Sequence, residues 1–509
     1  MPTSPPHTAL VPRPSSARFT HGHFTFGPDT RLHVSAGAEP AADLLRDLLS
    51  PATGLTLGHA VDAAVVFHLD SALTGLGGEG YGLTIGPNSV LLRARELTGL
   101  LRGVQTVRQL LPSEALMATP QRGVPWTLPC AEITDLPSRP WRGAMLDVAR
   151  HFQPMPYLLR YVDLLALHKI NVFHLHLTDD QGWRMPVAAY PKLTEIGGHR
   201  AQSVVGASGD RYDGTAHGGA YTRTELARLV DHARARGITV VPEIEMPGHA
   251  RAALAAYPHL GNHPDQVLDV WTRWGVCDTV LGLHDEVLDF CRTVLDEVMD
   301  VFPSPYVHLG GDECPLTEWE RSPVAHDRLR ATGLDGAGAL HGWFLGQVGA
   351  FVTANGRRPV GWTETGTELP RDFTAMVWRD PVHAVAAATR GHDVVNAYHR
   401  ATYFDYPQSD AADEPAGQPG AVVALQDVHG HDPMPDGLPA RAAAHILGTQ
   451  AQLWTEYVTT PDRIEYLTYP RLCALADNGW SGPTPWADFA TRLRGHTARL
   501  NALQVTSHP

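Results

Sequence analysis

The sequence predicts an α/β fold in which a (β/α)8 barrel follows a small α+β accessory domain. From residue 141 onward, short apolar segments alternate with longer amphipathic ones, which is typical of parallel β–α units. Eight such apolar segments occur within about 350 residues, a length that suits a barrel with insertions. The preceding block mixes strand and helix patterns without that alternation. We therefore expect an accessory domain over residues 19–137 and a barrel with a C-terminal helix over residues 138–509.

Composition and charge exclude several classes of protein. The chain has 509 residues, of which 43% are hydrophobic and 18% charged, and its net charge is −14. This composition is typical of a globular protein with a large core. No apolar run approaches the roughly 20 residues that a membrane-spanning helix needs. Because the balance is acidic and no block is rich in Lys and Arg, we expect neither nucleic acid nor a membrane as partner.

The N-terminus and the cysteines bear on the compartment. Residues 1–18 hold five prolines and no continuous apolar segment, which predicts a disordered leader and not a secretory signal. We therefore expect a cytoplasmic protein, with export by a route that the sequence does not reveal as the alternative. The five cysteines form no CxxC pair, so we expect neither a disulfide framework nor a cysteine zinc site. Spacing alone leaves a pair between Cys277 and Cys291 open.

The accessory domain begins with a mixed pattern of strand and helix. A helix is predicted around residues 41–49, where four leucines share one face. Strands follow in AAVVFHLD and YGLTIGPNSVLLRAR, and LTGLLRGVQTVRQLLP predicts a second amphipathic helix that ends at a proline. A proline-rich connection over residues 113–140 then leads into the barrel.

The barrel strands are predicted from eight apolar segments. A well-formed helix between two of them is TRTELARLVDHARARG, where Thr222 and Glu225 form a capping box and Gly237 ends the helix. In chain order the predicted strands are GAMLDVAR, NVFHLHLTDD, ITVVPEIEMP, YVHLGGDE, RPVGWTE, TAMVWRD, DVVNAYHRATYFD and ILGTQAQLWTEYV.

Polar side chains follow most of these strands, where a barrel of this kind builds its active site. Trp362, Trp378 and Trp454 lie near the ends of strands five, six and eight. Carboxylates combined with flat aromatic faces suit a sugar, because hydroxyls need acceptors and ring C–H faces pack on aromatic rings. The polar strand-end residues are Asp147, Arg150, His151, Thr178, Asp179, Asp180, Glu243, Glu245, His249, Asp312, Glu313, Tyr403, Asp405 and Glu456.

The strongest single signal is HLGGDEC, residues 308–314. Its two glycines allow a sharp turn that aims both Asp312 and Glu313 into the mouth of the barrel. Ordinary glycosidases place two carboxyls on opposite sides of the scissile bond, about 5 Å apart or more. Two residues adjacent in sequence are badly placed to flank a bond in this way. One of the pair can be a general acid while the other orients a group, so the nucleophile comes from elsewhere, the substrate included. The alternative is a pair of solvated carboxylates at a strand end, but the glycines and aromatics favour function.

Together these motifs resemble those of the family 20 glycoside hydrolases, the β-N-acetylhexosaminidases. They occur in the family's order and run through the whole barrel, and EGYGLTI with LLRGVQTVRQLL resembles the family's accessory domain. The resemblance thus covers nearly everything after the leader. The motifs that carry it are WRGAMLDVARHF, NVFHLHLTDDQGWR, PEIEMPGHA, HLGGDEC, VGWTE, MVWRD, ATYFD and QAQLWTEYV.

The resemblance implies substrate-assisted catalysis with retention, in which the 2-acetamido carbonyl oxygen attacks its own anomeric carbon to form an oxazolinium intermediate. By position, Glu313 would be the general acid and then the base. Asp312 would hold the acetamido N–H, and Tyr403 would donate to the carbonyl oxygen. Asp179 and His249 resemble the pair that supports the acid. The alternative for that pair is that it only braces two loops.

The resemblance also implies how one terminal sugar is bound. Trp362, Trp378 and Trp454 would form aromatic walls around the acetamido group. Arg142 would bind the 3- and 4-hydroxyls, with an ion pair as its rival structural explanation. Asp405 and Glu456 would bind the 4- and 6-hydroxyls. The expected partner is an oligosaccharide, chitooligosaccharides included, or a glycoconjugate with a terminal β-linked N-acetylhexosamine. Gluco and galacto epimers both stay open, as does the oligomeric state.

Two rival classes of function remain. His174 and His176 form an HxH motif on a strand, which keeps a metallohydrolase barrel as the rival enzyme, although the resemblance explains them without a metal or cofactor. The other rival is a non-catalytic sugar-binding homologue. The closing helix departs from the family at Asp477, Asn478 and Gly479, where a glutamate is usual, and this should alter the barrel floor more than the chemistry. Residues 201–219 and 411–437 are predicted loops near the mouth.

Overall fold

Two large sheets organise the protein, an open six-stranded sheet and a closed barrel of eight parallel strands. The computed structural model describes residues 9–207, 209–364 and 369–509. The predicted fold class, a (β/α)8 barrel preceded by a small domain of strands and helices, is confirmed.

The N-terminal sheet has the strand order β1-β6-β4-β5-β3-β2, and the two helices of this domain pack against one another. Its core joins sheet residues such as Phe67 and Leu92 to helix residues such as Leu45 and Val104. The elements of this domain are β1 (Ser16–Thr25), β2 (Leu32–Val34), α1 (Glu39–Thr53), β3 (Val65–Leu69), β4 (Tyr81–Ile85), β5 (Val90–Ala94), α2 (Leu97–Leu110) and β6 (Thr127–Asp135).

The barrel contains all eight predicted strands, each within or overlapping its predicted segment. Its elements begin with β7 (Trp141–Asp147), α3 (Met155–Leu167), β8 (Val172–His176), β9 (Thr178–Asp179), β10 (Gly182–Trp183), α4 (Lys192–Glu195), β11 (His199–Arg200), β12 (His217–Gly218), α5 (Arg223–Arg234), β13 (Thr239–Glu243), α6 (Arg251–Ala256), α7 (Asp285–Val301) and β14 (Tyr306–His308). They continue with α8 (Thr317–Arg321), α9 (Pro323–Thr332), α10 (Ala337–Ala354), β15 (Arg358–Thr363), β16 (Thr374–Val377), α11 (Pro381–Thr389), β17 (Val394–Asn396), α12 (His399–Thr402), α13 (Leu425–Gly430), β18 (Ile446–Leu453), α14 (Pro461–Thr468), α15 (Arg471–Ser481) and α16 (Trp486–Ala502).

The barrel closes where β18 pairs with β7 in parallel, and β7 in turn pairs with β8. The predicted cap of α5 is present, because the Thr222 hydroxyl accepts from the Glu225 backbone N–H and the Glu225 carboxylate accepts from that of Thr222. All the parallel strands point the same way, so their carboxyl ends meet at one mouth.

The prediction of a disordered leader is wrong for residues 9–18. Residues 9–18 are not disordered: Val11 is fully buried, and Gln109 bonds both its backbone N–H and its carbonyl. Arg499 of α16 donates to the Ala9 carbonyl at 2.8 Å. The prolines of this segment alone do not predict disorder correctly, because side chains of both domains form hydrogen bonds with its backbone. Residues 1–8 lie outside the described part of the chain.

The barrel floor carries the predicted departure in the closing helix. Asp477 pairs with Arg492 of α16 at 2.8 Å and accepts from the Arg13 backbone N–H at 2.7 Å. The Asn478 side-chain amide donates to backbone carbonyls of three residues near α13. These residues therefore fasten the N-terminal segment and the last helices to the floor, away from the mouth.

Two further predictions concern membranes and cysteines. Within the described ranges, no helix has the length and apolar character required to cross a bilayer. All five cysteines are free thiols, so Cys277 and Cys291 do not form a disulfide.

Candidate active site

A cavity of about 130 Å³ opens at the carboxyl ends of the barrel strands. Its lining includes most of the predicted site residues and draws on strands or loops from all sides of the barrel. The lining residues are Arg150, Asp179, Glu245, His249, Asp312, Glu313, Trp378, Tyr403, Asp405, Tyr406, Gln418, Trp454 and Glu456.

The turn after β14 carries the two adjacent carboxylates. Gly310 and Gly311 have φ of 66° and 91°, a region that favours glycine. A Cβ atom on Gly310 would stand 1.7 Å from the Glu245 carboxylate, so this position also needs glycine for space. Glu313 itself has φ of 45°, a strained conformation of the kind that clusters at functional sites. The turn brings Asp312 and Glu313 into the same cavity, as the sequence predicts.

Glu313 is held in an environment that favours its protonated form. Burial raises the pKa of its carboxyl, and the neighbouring Asp312 charge raises it further, whereas His249 opposes the rise. The His249 Nε2 atom lies 3.8 Å from Glu313 Oε2. A raised pKa suits a general acid, because the acid must carry its proton before it can give it to the leaving group.

The residues behind His249 form a charged network. Its Nδ1 atom lies 3.3 Å from Asp179 Oδ1 and 3.1 Å from Asp180 Oδ2. Burial alone would lower the pKa of His249, but these two carboxylates raise it well above its usual value. These carboxylates therefore favour the imidazolium form of His249 beside Glu313, and Asp180, which the sequence indicates only as a polar strand-end residue, belongs to the network.

Asp312, in the loop after β14, and Tyr403, just after α12, both line the cavity. The Tyr403 ring stacks on Trp378 with a centroid separation of 6.0 Å. Burial raises the pKa of Tyr403 well above its usual value, and Asp312 adds to this, so the phenol remains a hydrogen-bond donor. Asp312 Oδ1 and Trp378 Nε1 are buried without a hydrogen-bond partner among the described residues. Unpaired polar atoms in a cavity are positioned to receive a polar ligand.

A second polar group closes another side of the cavity. Asp405 is 3% exposed, and its Oδ1 atom has no hydrogen-bond partner in the described part of the chain. Burial raises the pKa of Asp405 well above its usual value, and Glu456 adds to the rise. Arg150, which follows the neighbouring strand β7, has its guanidinium 5.1 Å from the Trp454 ring centroid and 2.7 Å from Asp179.

Trp362 lies deeper than the other two predicted tryptophans. It is 1% exposed, its indole N–H donates to Glu243 Oε1 at 2.7 Å, and its centroid lies 6.0 Å from that of Trp454. It lines a second, wider cavity of about 480 Å³ that adjoins the first and also touches Glu313. Trp362 therefore packs beneath the site.

The structure contradicts the predicted substrate contact of Arg142. This residue stands near the start of β7, roughly 17 Å along the strand from Asp147 at its other end. Its side chain is fully buried in the barrel floor, where it pairs with Glu79 and donates to the Lys169 carbonyl. The rival explanation, a structural ion pair, is therefore the correct one, and Arg150 is the arginine in the cavity.

This correction gives a paired prediction. Arg142→Gln leaves Glu79 with one cation fewer and should lower the free energy of unfolding by roughly 2–3 kcal/mol, a value typical of bonds to charged groups. It should leave KM unchanged, because the residue lies at the far end of the barrel. Arg150→Gln should instead reduce kcat/KM. Urea unfolding and steady-state kinetics on both variants check this, and a raised KM in Arg142→Gln would contradict it.

Several lining residues were not assigned a function from the sequence. In the sequence, Arg150 and Glu245 are recognisable only as polar strand-end residues, and Tyr406 directly follows the ATYFD motif. Gln418 comes from the predicted loop 411–437, in which α13 also forms. Position at a strand end could have singled out Arg150, but no pattern in the sequence indicates Gln418.

The histidines behind the metal alternative lie below the cavity. His174 Nε2 is 3.0 Å from Glu243 Oε2, His176 pairs with the same carboxylate, and His308 Nδ1 is 2.9 Å from Oε1. Burial lowers the pKa of His174 to about 4, whereas Glu243 overcomes burial and raises that of His176 to about 10. These donor atoms are close enough together to surround an ion. Because Glu243 is shared with Trp362 and the imidazoles, internal pairing accounts for the HxH motif.

Comparisons with known proteins find similar sequences over both domains. A family model for the glycosyl hydrolase family 20 catalytic domain matches residues 140–483, and one for domain 2 of that family matches residues 7–136. A β-hexosaminidase of Porphyromonas gingivalis is 36% identical over 98% of this chain, which spans 64% of that relative. A β-N-acetylhexosaminidase of Cellulomonas fimi is 33% identical over 96% of this chain and 94% of its own.

Solved structures show the same similarity. An exo-β-N-acetylglucosaminidase of Vibrio harveyi in complex with N-acetylglucosamine aligns with a TM-score of 0.89 and 29% identity, over 100% of this chain and 79% of its own. An N-acetyl-β-hexosaminidase of Streptomyces plicatus with bound Thio-NAglucal aligns with a TM-score of 0.85 and 31% identity, over 99% of this chain and 97% of its own.

Proposed function

Because the chain belongs to glycosyl hydrolase family 20 and is therefore a glycoside hydrolase, we propose that it is a β-N-acetylhexosaminidase. It removes a terminal, non-reducing N-acetylhexosamine with retention of configuration, through an oxazolinium intermediate. Two relatives support this activity through their names, and two related structures support it through the N-acetylglucosamine or analogue that they bind.

One observation carries the mechanism. Asp312 and Glu313 leave the same turn as neighbours, so they cannot flank a scissile bond in the way that a nucleophile and an acid of an ordinary retaining enzyme do. Asp312 instead faces the aromatic group formed by Trp378 and Tyr403, where its unpaired oxygen can accept a substrate N–H. The nucleophile is then the acetamido oxygen of the substrate.

The first step uses each of these groups. The acetamido carbonyl oxygen bonds to the anomeric carbon while the glycosidic bond breaks, and Glu313 gives its proton to the leaving oxygen. Asp312 accepts a hydrogen bond from the acetamido N–H and opposes the positive charge that develops there, while Tyr403 donates to the carbonyl oxygen. That N–H donor also favours the ionised form of Asp312.

The second step reverses the protonation of Glu313. Its carboxylate takes a proton from water, whose oxygen bonds to the anomeric carbon and opens the oxazolinium ring. His249, paired with Asp179 and Asp180, stabilises the ionised carboxylate from 3.8 Å away. This gives the Asp179–His249 pair a function beyond bracing the loops.

The closed side of the cavity limits it to one terminal sugar. Asp405, Glu456 and Arg150 supply acceptors and a donor for the hydroxyls remote from the scissile bond. The wider cavity beside Glu313 leaves room for the departing part of the substrate. The enzyme therefore acts from the chain end, and its partner is an oligosaccharide, such as a chitooligosaccharide, or a glycoconjugate.

The deciding experiment compares 4-nitrophenyl N-acetyl-β-glucosaminide with the plain β-glucoside, in the presence and absence of a cyclic thiazoline that mimics the oxazoline. We expect cleavage of the acetamido substrate only, with inhibition by the thiazoline. Equal cleavage of both substrates, or indifference to the thiazoline, would mean that a carboxylate of the protein is the nucleophile. Binding of N-acetylglucosamine without any cleavage would favour the sugar-binding alternative.

A further inference from the structure

Glu313 stands at the boundary between two cavities, and different charges face it in each. Both cavities have Glu313 in their lining. From the sugar side it is faced by Asp312 and by His249, with the Tyr403 phenol farther off. From the other side it is faced by Glu364, at the end of β15, and by Arg379, just after β16.

Glu364 connects the backbone of the acid to Arg379. One carboxylate oxygen accepts from the Glu313 backbone N–H at 3.3 Å, and the other accepts from Arg379 Nε at 3.0 Å. This bond helps to hold the Glu313 backbone at its strained φ of 45°. Glu364 thus fixes both the acid and the cation beside it.

Arg379 is held so that its guanidinium reaches the acid. Its guanidinium carbon lies 4.2 Å from the Trp378 ring centroid, a cation–π contact, and its Nη2 atom lies 3.6 Å from Glu313 Oε1. Glu313 therefore has one cation near each oxygen, because His249 lies near Oε2. Arg379 and Glu364 also line the wider cavity, together with His341 and the half-buried Cys314.

We infer that Arg379 and Glu364 are a positioning pair that balances Glu313 between its protonated and ionised forms from the leaving-group side. The inference rests on the proposed function, in which Glu313 must be an acid in one step and a base in the next. Arg379 stabilises the carboxylate that remains after the leaving group takes the proton, and Glu364 prevents that cation from ionising the acid too early. Neither residue lines the cavity that is proposed to hold the sugar.

Arg379 and Glu364 carry opposite charges, so their removal should shift the pKa of Glu313 in opposite directions. Arg379 lowers the pKa of Glu313 and Glu364 raises it. Because the acid must be protonated, kcat/KM falls above the pKa of Glu313 in the free enzyme. Arg379→Gln should therefore move the alkaline limit of kcat/KM to higher pH, and Glu364→Gln should move it to lower pH.

The experiment measures the pH profile of kcat/KM for a disaccharide of β-linked N-acetylglucosamine. Because its sugar leaving group is poor, the rate depends on protonation by Glu313. Both side chains are partly exposed, so we expect each shift to be about half a pH unit or more, and smaller than for a buried pair. The double variant should lie between the single ones. Thermal unfolding of each variant verifies that it is folded.

Arg328→Gln is a matched control. Arg328 has the same kinds of contact, with its guanidinium 4.8 Å from the Trp343 centroid and 2.6 Å from Asp285, but it does not line either cavity. The alkaline limit of kcat/KM in the Arg328→Gln variant should equal that of the wild type. Shifts of both site variants in the same direction, or no shift in either, would overturn the inference. A wild-type enzyme inactive on all N-acetylglucosaminides would instead refute the proposed function.

Discussion

Replacing Glu313 with Gln is expected to lower kcat/KM for a disaccharide substrate by a factor of about 10²–10⁴, the range typical of general acid catalysis. The amide has nearly the same shape but cannot transfer a proton to the leaving oxygen. The loss should be much smaller for a 4-nitrophenyl glycoside, because nitrophenolate leaves without protonation. Steady-state kinetics on the two substrates measure this difference directly.

A second readout separates the acid from the base. With the nitrophenyl substrate, the Glu313→Gln enzyme should form the oxazolinium quickly and hydrolyse it slowly, because water is no longer deprotonated. Azide needs no base, so it should restore turnover and give a β-glycosyl azide. Glu320→Gln, an exposed position in α8, is the matched control and should behave as wild type. Near-wild-type kinetics of the Glu313→Gln enzyme would contradict the assignment of Glu313 as the general acid.

The sequence predicted the architecture because the barrel's signals are repeated and local. Each buried strand is an apolar segment of limited length, and each ends at polar residues that the topology carries to the same mouth. The turn at residues 308–314 could be predicted because its two glycines adopt positive φ. These features depend on neighbours in sequence, so one sequence suffices to find them.

The errors concern contacts between segments that are far apart in the chain. Arg142 lies near the start of β7 and Arg150 lies just beyond its end, so only the direction of the strand distinguishes the floor from the mouth. Arg142 finds its partner Glu79 in the other domain, 63 residues away, which no local pattern reveals. The N-terminal segment is ordered for the same kind of reason, because Arg499 and Gln109 bind its backbone. The cavity contact of Gln418 likewise depends on how a long loop folds back.

The electrostatics of the site also lay beyond the sequence. A DE pair does not indicate which carboxyl is protonated, because the answer depends on burial and on charges from other strands. In the structure, His249 lies near one oxygen of Glu313 and Arg379 near the other. Asp180, predicted only as a strand-end residue, shares His249 with Asp179. The protonation of this site is thus a property of four strands together.

Asp312→Asn should lower kcat for the acetamido substrate by a factor of about 10²–10³, the cost of removing one preorganised electrostatic partner of a transition state. Asn keeps the size of the side chain but loses the charge that opposes the developing positive charge on the acetamido nitrogen. Because the Asp312 charge also raises the pKa of Glu313, the alkaline limit of kcat/KM should move to lower pH.

The thiazoline distinguishes this explanation from a structural defect. It mimics the cyclic intermediate, so its affinity should fall in Asp312→Asn by a factor comparable to the loss in kcat, whereas thermal unfolding should change little. Asp300→Asn, at an exposed position in α7, provides the matched control. Unchanged thiazoline affinity combined with a large loss in kcat would mean that Asp312 acts only through the protonation of Glu313. If the substrate's own acetamido group is the nucleophile, Asp312 contacts the group that becomes the ring. The affinity for the thiazoline must then fall together with kcat.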